Sequence, residues 1–343
     1  MPLRTYPLIA HPAFLAFVEH QKGADHGLHE TKPVHTPTHR PAIKNITDIA
    51  DYLQISHFFL RSIMRKPIRH YRQFQFNKRS GGVRTIHAPR TFLKVIQWWI
   101  LDTILYNAEI SPIVHGFTPY KSFITNAKEH VGARHILNVD IKDFFPSIKT
   151  SVVIEVFASL GYSEKISVAL ANLTTFQGAL PQGAPTSPAI ANLALRLFDK
   201  SMLSYAELLE LKYTRYADDL TFSSSTHIDP QILGVIRAHL EPLGLELNEK
   251  KTRFVGSNST KEVTGLILGR DGVRLSARFM NSARGWFHKI SKSPSQYREN
   301  LDRIRGTLSL IEQVGGAGSS KIAVIGRRAV AKVRAEQMNS SED

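Results

Sequence analysis

Tyr213-Thr214-Arg215-Tyr216-Ala217-Asp218-Asp219-Leu220-Thr221-Phe222 reads as two short strand-like runs around an acidic tip. Adjacent carboxylates at a hairpin tip repel each other unless a cation lies beside them. An exposed Asp-rich turn is the plain alternative. Upstream, Arg134-His135-Ile136-Leu137-Asn138-Val139-Asp140-Ile141 reads as a buried strand that ends in an acid. A carboxylate there faces a cleft better than a core, because burying it unpaired is unfavourable. A strand-end Asp also serves as a turn former or helix cap. Taken together, Asp140, Asp218 and Asp219 suit a hard cation, Mg²⁺ or Mn²⁺. Two such ions, roughly 3.5–4 Å apart, clamp the attacking and leaving oxygens of an in-line phosphoryl transfer. Asp140 is remote from the Asp pair in sequence, so only the fold can bring the three together.

The rest of the 343-residue chain supplies the substrate class. It has 44 Lys and Arg against 29 Asp and Glu, a net charge of +15. That excess points to a polyanion, most simply nucleic acid. Cysteine is absent, which excludes disulfides, thiolate nucleophiles and Cys-ligated metal centres and permits a reducing cytoplasm. No apolar run reaches the ~18 residues of a membrane span; Phe92 to Tyr106 is interrupted by Lys94, Gln97 and Asp102. No secretory signal is visible. The expected location is the cytoplasm, with no membrane partner.

Residues 1–42 form a His/Pro-rich extension. It holds six of the 15 histidines (His11, His20, His26, His29, His35, His39) in no zinc-binding pattern, and its prolines argue against a long helix. Residues 43–134 begin with a helix over Ile46, Ile49, Tyr52 and Leu53, with Thr47 expected as its N-cap. A β-hairpin follows over 72–90: Phe74 and Phe76 alternate with polar residues, then Asn77-Lys78-Arg79-Ser80-Gly81-Gly82 turns the chain into Val83-Arg84-Thr85-Ile86. Leu93 to Tyr106 reads as a core helix. Residues 284 to 336 hold eleven Lys and Arg against four Asp and Glu, as suits helices that track phosphates along a duplex.

These residues carry a resemblance. Asp140 and Tyr216-Ala217-Asp218-Asp219 resemble motifs A and C of reverse transcriptases. Leu180-Pro181-Gln182-Gly183-Ala184-Pro185-Thr186-Ser187-Pro188 resembles motif B, and Gly244-Leu245-Glu246-Leu247-Asn248-Glu249-Lys250-Lys251-Thr252 resembles motif D. A lone Tyr-x-Asp-Asp is weak, but four motifs in order are specific. Asn126-Ala127-Lys128-Glu129-His130 and Val263-Thr264-Gly265 are similar to two signatures of retron reverse transcriptases. The extension before residue 43 is not part of the shared pattern.

The resemblance implies an α+β right-hand polymerase with fingers, palm and thumb, an antiparallel palm sheet and a helical C-terminal thumb. It divides the chain into the extension 1–42, N-terminal helices and fingers 43–134, palm 135–275, basic thumb 276–336 and tail 337–343. It implies that Asp140 and Asp218, with the backbone carbonyl of Ile141, are principal ligands of two Mg²⁺ ions, and that Asp219 assists. Lys78 and Arg84 would grip the triphosphate, where Arg binds in bidentate fashion. Gln182 would touch nucleotide or template, and Gly183 would permit close backbone approach. Lys251 would act as general acid on the pyrophosphate, with Lys250 as rival. Phe145 would reject a ribose 2′-hydroxyl, the alternative being a core aromatic beside Phe144. Arg79, Asn126, His130, Val263, Thr264, Gly265, Arg298, Arg303 and Arg305 would contact nucleic acid.

The activity implied is RNA-directed DNA polymerisation of retron type. The enzyme would use dNTPs to copy a structured noncoding RNA into branched single-stranded DNA (msDNA), primed from a guanosine 2′-hydroxyl, in antiphage defence. Its partners would be that RNA, the RNA–DNA product and a separate effector protein. The alternatives are another bacterial reverse transcriptase, group II intron-like or of another phage-defence type, and an RNA-binding scaffold with an inactive site. Three retained carboxylates argue against the scaffold.

Overall fold

The computed structural model describes residues 40–77, 81–316 and 318–339. Lys78 and Arg79, the extension up to residue 39 and the end of the tail lie outside the described residues.

Helices α1 (Ile46–Leu53) and α2 (His57–Arg65) precede a hairpin of β1 (Tyr71–Asn77) and β2 (Val83–Pro89). Then come α3 (Thr91–Ile100), α4 (Phe123–Glu129), β3 (His135–Asp140), the single-turn α5 (Phe144–Ser147), α6 (Thr150–Ser159), α7 (Glu164–Thr174), α8 (Ser187–Ala194) and α9 (Arg196–Leu208). The catalytic-type hairpin is β4 (Lys212–Tyr216) and β5 (Asp219–Ser224), followed by α10 (Ile232–Leu240) and β6 (Arg253–Val255). Three short strands, β7 (Glu262–Val263), β8 (Leu266–Leu268) and β9 (Val273–Arg274), lead into helices α11 (Ala277–Lys292), α12 (Leu301–Val314) and α13 (Ser319–Asn339).

The N-cap of α1 is Asn45, not Thr47. Asp48 decides this: its Oδ2 accepts the amides of Lys44 and Asn45 at 2.7 and 2.9 Å, so the helix starts one turn before the carboxylate that caps it. Residues 40 to 42 lie against the body, where Arg40 Nη2 donates to Asn107 O (3.1 Å) and the Tyr162 hydroxyl donates to Pro41 O (3.1 Å). After α3 the chain passes into a π-helical turn, Leu101–Leu105.

The central sheet is antiparallel, in the order β4-β5-β3-β6. Its strands alternate too little to leave one face in water. Leu137, Val139, Leu220 and Phe222 on one face and Ile136, Thr221 and Ser223 on the other are all buried. The register sets Asp140 directly opposite Asp219. One large apolar core runs from Ile43 to Leu247. A second gathers Ile124 and Ala127 of α4, Val263 and Leu266 of the small sheet, and Phe287, Ile304, Ile311 and Val333 of α11 to α13. The stretch 262–275 therefore buries its apolar side chains with the C-terminal helices.

The two cores meet at a buried histidine. His130 contacts Ser223 Oγ and Thr214 Oγ1, each at 2.7 Å, and so ties the end of α4 to β5 and β4. Burial holds its pKa down at about 3, and that of His115, bonded to Thr125 Oγ1, at about 4. Both are neutral in the fold and charge more readily when unfolded. Their stability contribution is intact above pH 6.5 and is lost as the pH falls from there towards those values, by about 2 kcal/mol each at pH 5. Asp219, whose pKa is raised (below), works in the opposite direction, so the difference between proteins is the clean measure. In metal-free urea melts, His130→Gln is expected to lose about 2 kcal/mol less than wild type between pH 7.5 and pH 5. Equal losses in the two proteins would show that His130 is not the titrating group.

Candidate active site

The acidic tip is built by strand ends. β3 delivers Asp140, and β4 and β5 deliver Asp218 and Asp219 around a tight turn in which Ala217 holds φ +57°. The backbone locks these ends together. The Ile141 amide donates to Asp218 O (3.0 Å), and the Asn248 amide donates to Asp140 O (2.7 Å). Asn248 Nδ2 also donates to Asp140 Oδ1 (2.9 Å), and Lys251 Nζ donates to Asp140 Oδ2 (2.6 Å). Two residues of the 244–252 segment thus grip one carboxylate.

Burial raises the pKa of Asp218, and the charge of Asp140 adds to the rise, while Lys251 and Arg84 oppose it. Burial followed by the charges of Asp218 and Asp140 pushes Asp219 up to about 7. The bond to Asp140 keeps Lys251 protonated by raising its pKa. Negative charge packed this closely and partly desolvated calls for a counter-cation, and an all-oxygen donor set fits a hard divalent ion. As the side chains stand, no group of three His, Asp or Glu among the described residues has metal-binding spacing. The Lys251 ammonium sits on Asp140 Oδ2, so metal binding through that oxygen would require this half-exposed side chain to turn outward.

A cleft of about 260 Å³ lies between β2, the loop before α8 and the α5 region, and Arg84 on its wall is near enough for its charge to act on Asp218. Arg84, His87, Asp143, Lys149, Gln177 and Gln182 are among its lining residues. Gly183 has φ +123°, and a Cβ there would lie 2.7 Å from Ile86 Cγ2 and 3.2 Å from His87 O. The close approach expected of this glycine is thus made to β2. The His87 amide donates to Gln182 O (2.8 Å) and fastens the same junction. Phe145 is half-buried, with its ring centroid 5.3 Å from Phe144 and 6.1 Å from Phe117. Asp143, in the left-handed region at φ +42°, starts the turn that places it.

Several residues expected to touch nucleic acid do not reach the surface. Asn126 and His130 are fully buried and Val263 nearly so. Thr264 and Gly265 make the turn between β7 and β8, at φ +47° and +81°, and the Thr264 hydroxyl donates to Phe123 O (2.8 Å). The two signatures meet each other and join the cores. That role follows from Asn126, Ala127, His130 and Val263 packing inward, which a short motif does not reveal. Arg298 Nη2 donates to Glu336 Oε2 (3.1 Å) within the C-terminal helices. Arg303 lies over the Trp286 ring at 5.2 Å, and Arg305 is 3.8 Å from Asp302; both remain exposed.

Sequence reading missed the support beneath the tip. Arg215 is completely buried. Its Nε and Nη2 donate to Asp199 Oδ1 and Oδ2 (2.8 and 2.6 Å), and Nη1 donates to Asn192 Oδ1 (3.0 Å) and Ala217 O (3.1 Å). The one sequence signal was an arginine amid the apolar residues of a strand. Lys149, on the cleft wall, had none.

The reverse transcriptase (RNA-dependent DNA polymerase) family model matches residues 76–268. Retron Ec86 reverse transcriptase of Escherichia coli is 36% identical over 282 residues, covering 80% of this chain and 86% of the relative. This chain belongs to the retron reverse transcriptases. Retron Mx65 reverse transcriptase of Myxococcus xanthus is 33% identical, covering 82% of this chain and 71% of the relative. A telomerase from Candida albicans matches with a TM-score of 0.41 at 11% identity, over 80% of this chain and 61% of that one, a likeness too weak to bear on function. This retron-type enzyme is thus an RNA-directed DNA polymerase with the right-hand fold. Its central antiparallel sheet is the palm, and its C-terminal helices are the thumb. No helix among the described residues is long and apolar enough to cross a membrane.

Proposed function

We propose that this reverse transcriptase copies part of a structured noncoding RNA into branched msDNA, starting from a guanosine 2′-hydroxyl, and serves antiphage defence with a separate effector protein. The observation that carries the reading is the carboxylate cluster, Asp140 buried and Asp218 and Asp219 half-buried, with Arg84 of a neighbouring cleft close enough to act on its charge, in a chain 36% identical to a retron enzyme.

Asp140 and Asp218, with the Ile141 carbonyl, would hold two Mg²⁺ ions, with Asp219 assisting. Bound Mg²⁺ supplies charge neutralisation and Lewis acidity at the phosphoryl oxygens. Arg84, exposed on β2 and close enough to act on the charge of Asp218, orients the dNTP triphosphate. Gln182 and Gly183 form the floor of the nucleotide pocket through their contact with β2. Lys251, held protonated, donates a proton to the departing pyrophosphate. The exposed Arg303 and Arg305 track phosphates of the RNA or its RNA–DNA product. The deciding experiment is sequencing of the nucleic acid that copurifies with the enzyme. A branched RNA–DNA molecule is expected, and only linear cDNA or unrelated RNA would refute the reading.

By its resemblance to motif A, Phe145 would meet the sugar of the incoming nucleotide. Phe145→Val is expected to reduce discrimination against ribonucleotides about 10- to 100-fold, because the smaller side chain leaves room for the 2′-hydroxyl. Incorporation of each dNTP against its ribo analogue measures this. Unchanged discrimination would make Phe145 a core aromatic only.

A further inference from the structure

β4 is an edge strand of the palm sheet, yet its outer edge is not open. The segment Ile113 to Phe117 runs parallel beside it. Arg215 N donates to Ile113 O (3.0 Å) and His115 N donates to Arg215 O (2.8 Å). The segment then reaches the catalytic-type turn at Gly116. A Cβ built on Gly116 would lie 2.3 Å from Ala217 N, 3.0 Å from Tyr216 C and 3.2 Å from Ala217 Cα. All three are backbone atoms, so no side chain can rotate away. The Gly116 carbonyl accepts Asn192 Nδ2 (2.9 Å). Asn192 Oδ1 accepts Arg215 Nη1, which also donates to Ala217 O. Gly116, Asn192, Arg215 and Ala217 thus close a ring around the outer side of the turn. On the inner side, the Ile141 amide holds Asp218 O.

We infer that Gly116 is a positioning residue for DNA synthesis: its bare Cα lets the backbone of residues 113–117 press on the Ala217 turn and fix where the Asp218 carboxylate points. The inference rests on the reading of Asp218 as a metal-binding catalytic group. Any side chain at position 116 must move the turn or the segment by roughly 1 Å, and a displacement of that size at a reacting centre costs about 100-fold in rate. The substitution leaves Arg84 and the other basic side chains proposed to meet dNTP and RNA phosphates unchanged, so binding should be spared.

The test compares wild type with Gly116→Ala, with Gly285→Ala as a control in open helical space, and with Asp218→Asn. Four quantities are read: kcat, KM for dNTP, affinity for the RNA template–primer, and Mn²⁺ affinity of the nucleic-acid complex without dNTP, by the electron paramagnetic resonance of free Mn²⁺. Gly116→Ala is expected to lower kcat about 100-fold and to weaken Mn²⁺ binding, with KM and RNA affinity within about twofold of wild type. Wild-type kcat and Mn²⁺ affinity in Gly116→Ala, beside an inactive Asp218→Asn, would overturn the inference alone. Full activity of Asp218→Asn would overturn the reading beneath it. If Gly116→Ala loses RNA binding or its cooperative melt, Asn192→Ala decides. That variant keeps Gly116 but drops the bond to its carbonyl, and a wild-type kcat in it would overturn the inference. A fall of about 10-fold with RNA affinity retained would support it.

Discussion

Asp218→Asn is expected to reduce DNA synthesis by on the order of 1,000-fold or more while leaving RNA binding intact. Asparagine has the shape of aspartate and lacks its charge, so it removes the donor that would hold a divalent ion and little else. RNA binding rests on Lys and Arg against phosphates, and those residues are unchanged. Stability should move in the opposite direction from activity. Burial and the charge of Asp140 raise the pKa of Asp218; a carboxylate with a raised pKa weakens the fold when ionised. The neutral variant should therefore melt at the same or a higher temperature than wild type in metal-free buffer. Primer extension with Mg²⁺, filter binding of the RNA and a thermal melt cover all three expectations. Polymerisation at the wild-type rate would refute the assignment of Asp218. Loss of RNA binding together with synthesis would assign it a structural role.

The second large effect lies at Arg215 and Asp199. Both are buried, at 0% and 1% side-chain exposure, and 2.6 Å apart. The Tyr213 hydroxyl also donates to Asp199 Oδ1 (2.9 Å). Removing one member of such a pair strands the other charge in the core, so Asp199→Ala is expected to cost about 3–5 kcal/mol. Replacing both by apolar residues of similar volume, Arg215→Met with Asp199→Leu, removes both charges and should recover most of that loss. It cannot recover the bond from Arg215 to Ala217 O. The double variant is therefore expected to fold near wild-type stability and still synthesise DNA slowly. Urea melts and primer extension on the single and double variants separate the two effects. Recovery of full activity with stability would mean that the pair serves the fold only.

Much of the polymerase was legible because its signals are local. The β1–β2 hairpin announced itself by alternation and by a Gly-Gly turn, and the palm hairpin by two β-rich runs around adjacent acids. Other elements gave weak signals for physical reasons. β6 to β9 are two or three residues long, too short for a period to show. The π turn at Leu101–Leu105 continues the apolar periodicity of α3, so the chain reads there as one helix. Asn126-Ala127-Lys128-Glu129-His130 looks polar and exposed in sequence, yet Asn126 and His130 are interior. A polar side chain is buried when partners from distant strands meet it, as Thr214 and Ser223 meet His130.

The sequence by itself determined the chemistry available: three carboxylates, no thiol, an excess of positive charge, and four motifs whose order marks a reverse transcriptase. These are properties of residue type and local spacing, and they survive without coordinates. Tertiary structure alone decided which groups meet. The register of β3 on β5 set Asp140 against Asp219, the 244–252 segment brought Asn248 and Lys251 to Asp140, and packing of an edge strand against Gly116 fixed the turn beneath Asp218. Such pairings join residues far apart along the chain. They depend on sheet register and on burial from all sides, quantities that arise only when the whole core closes.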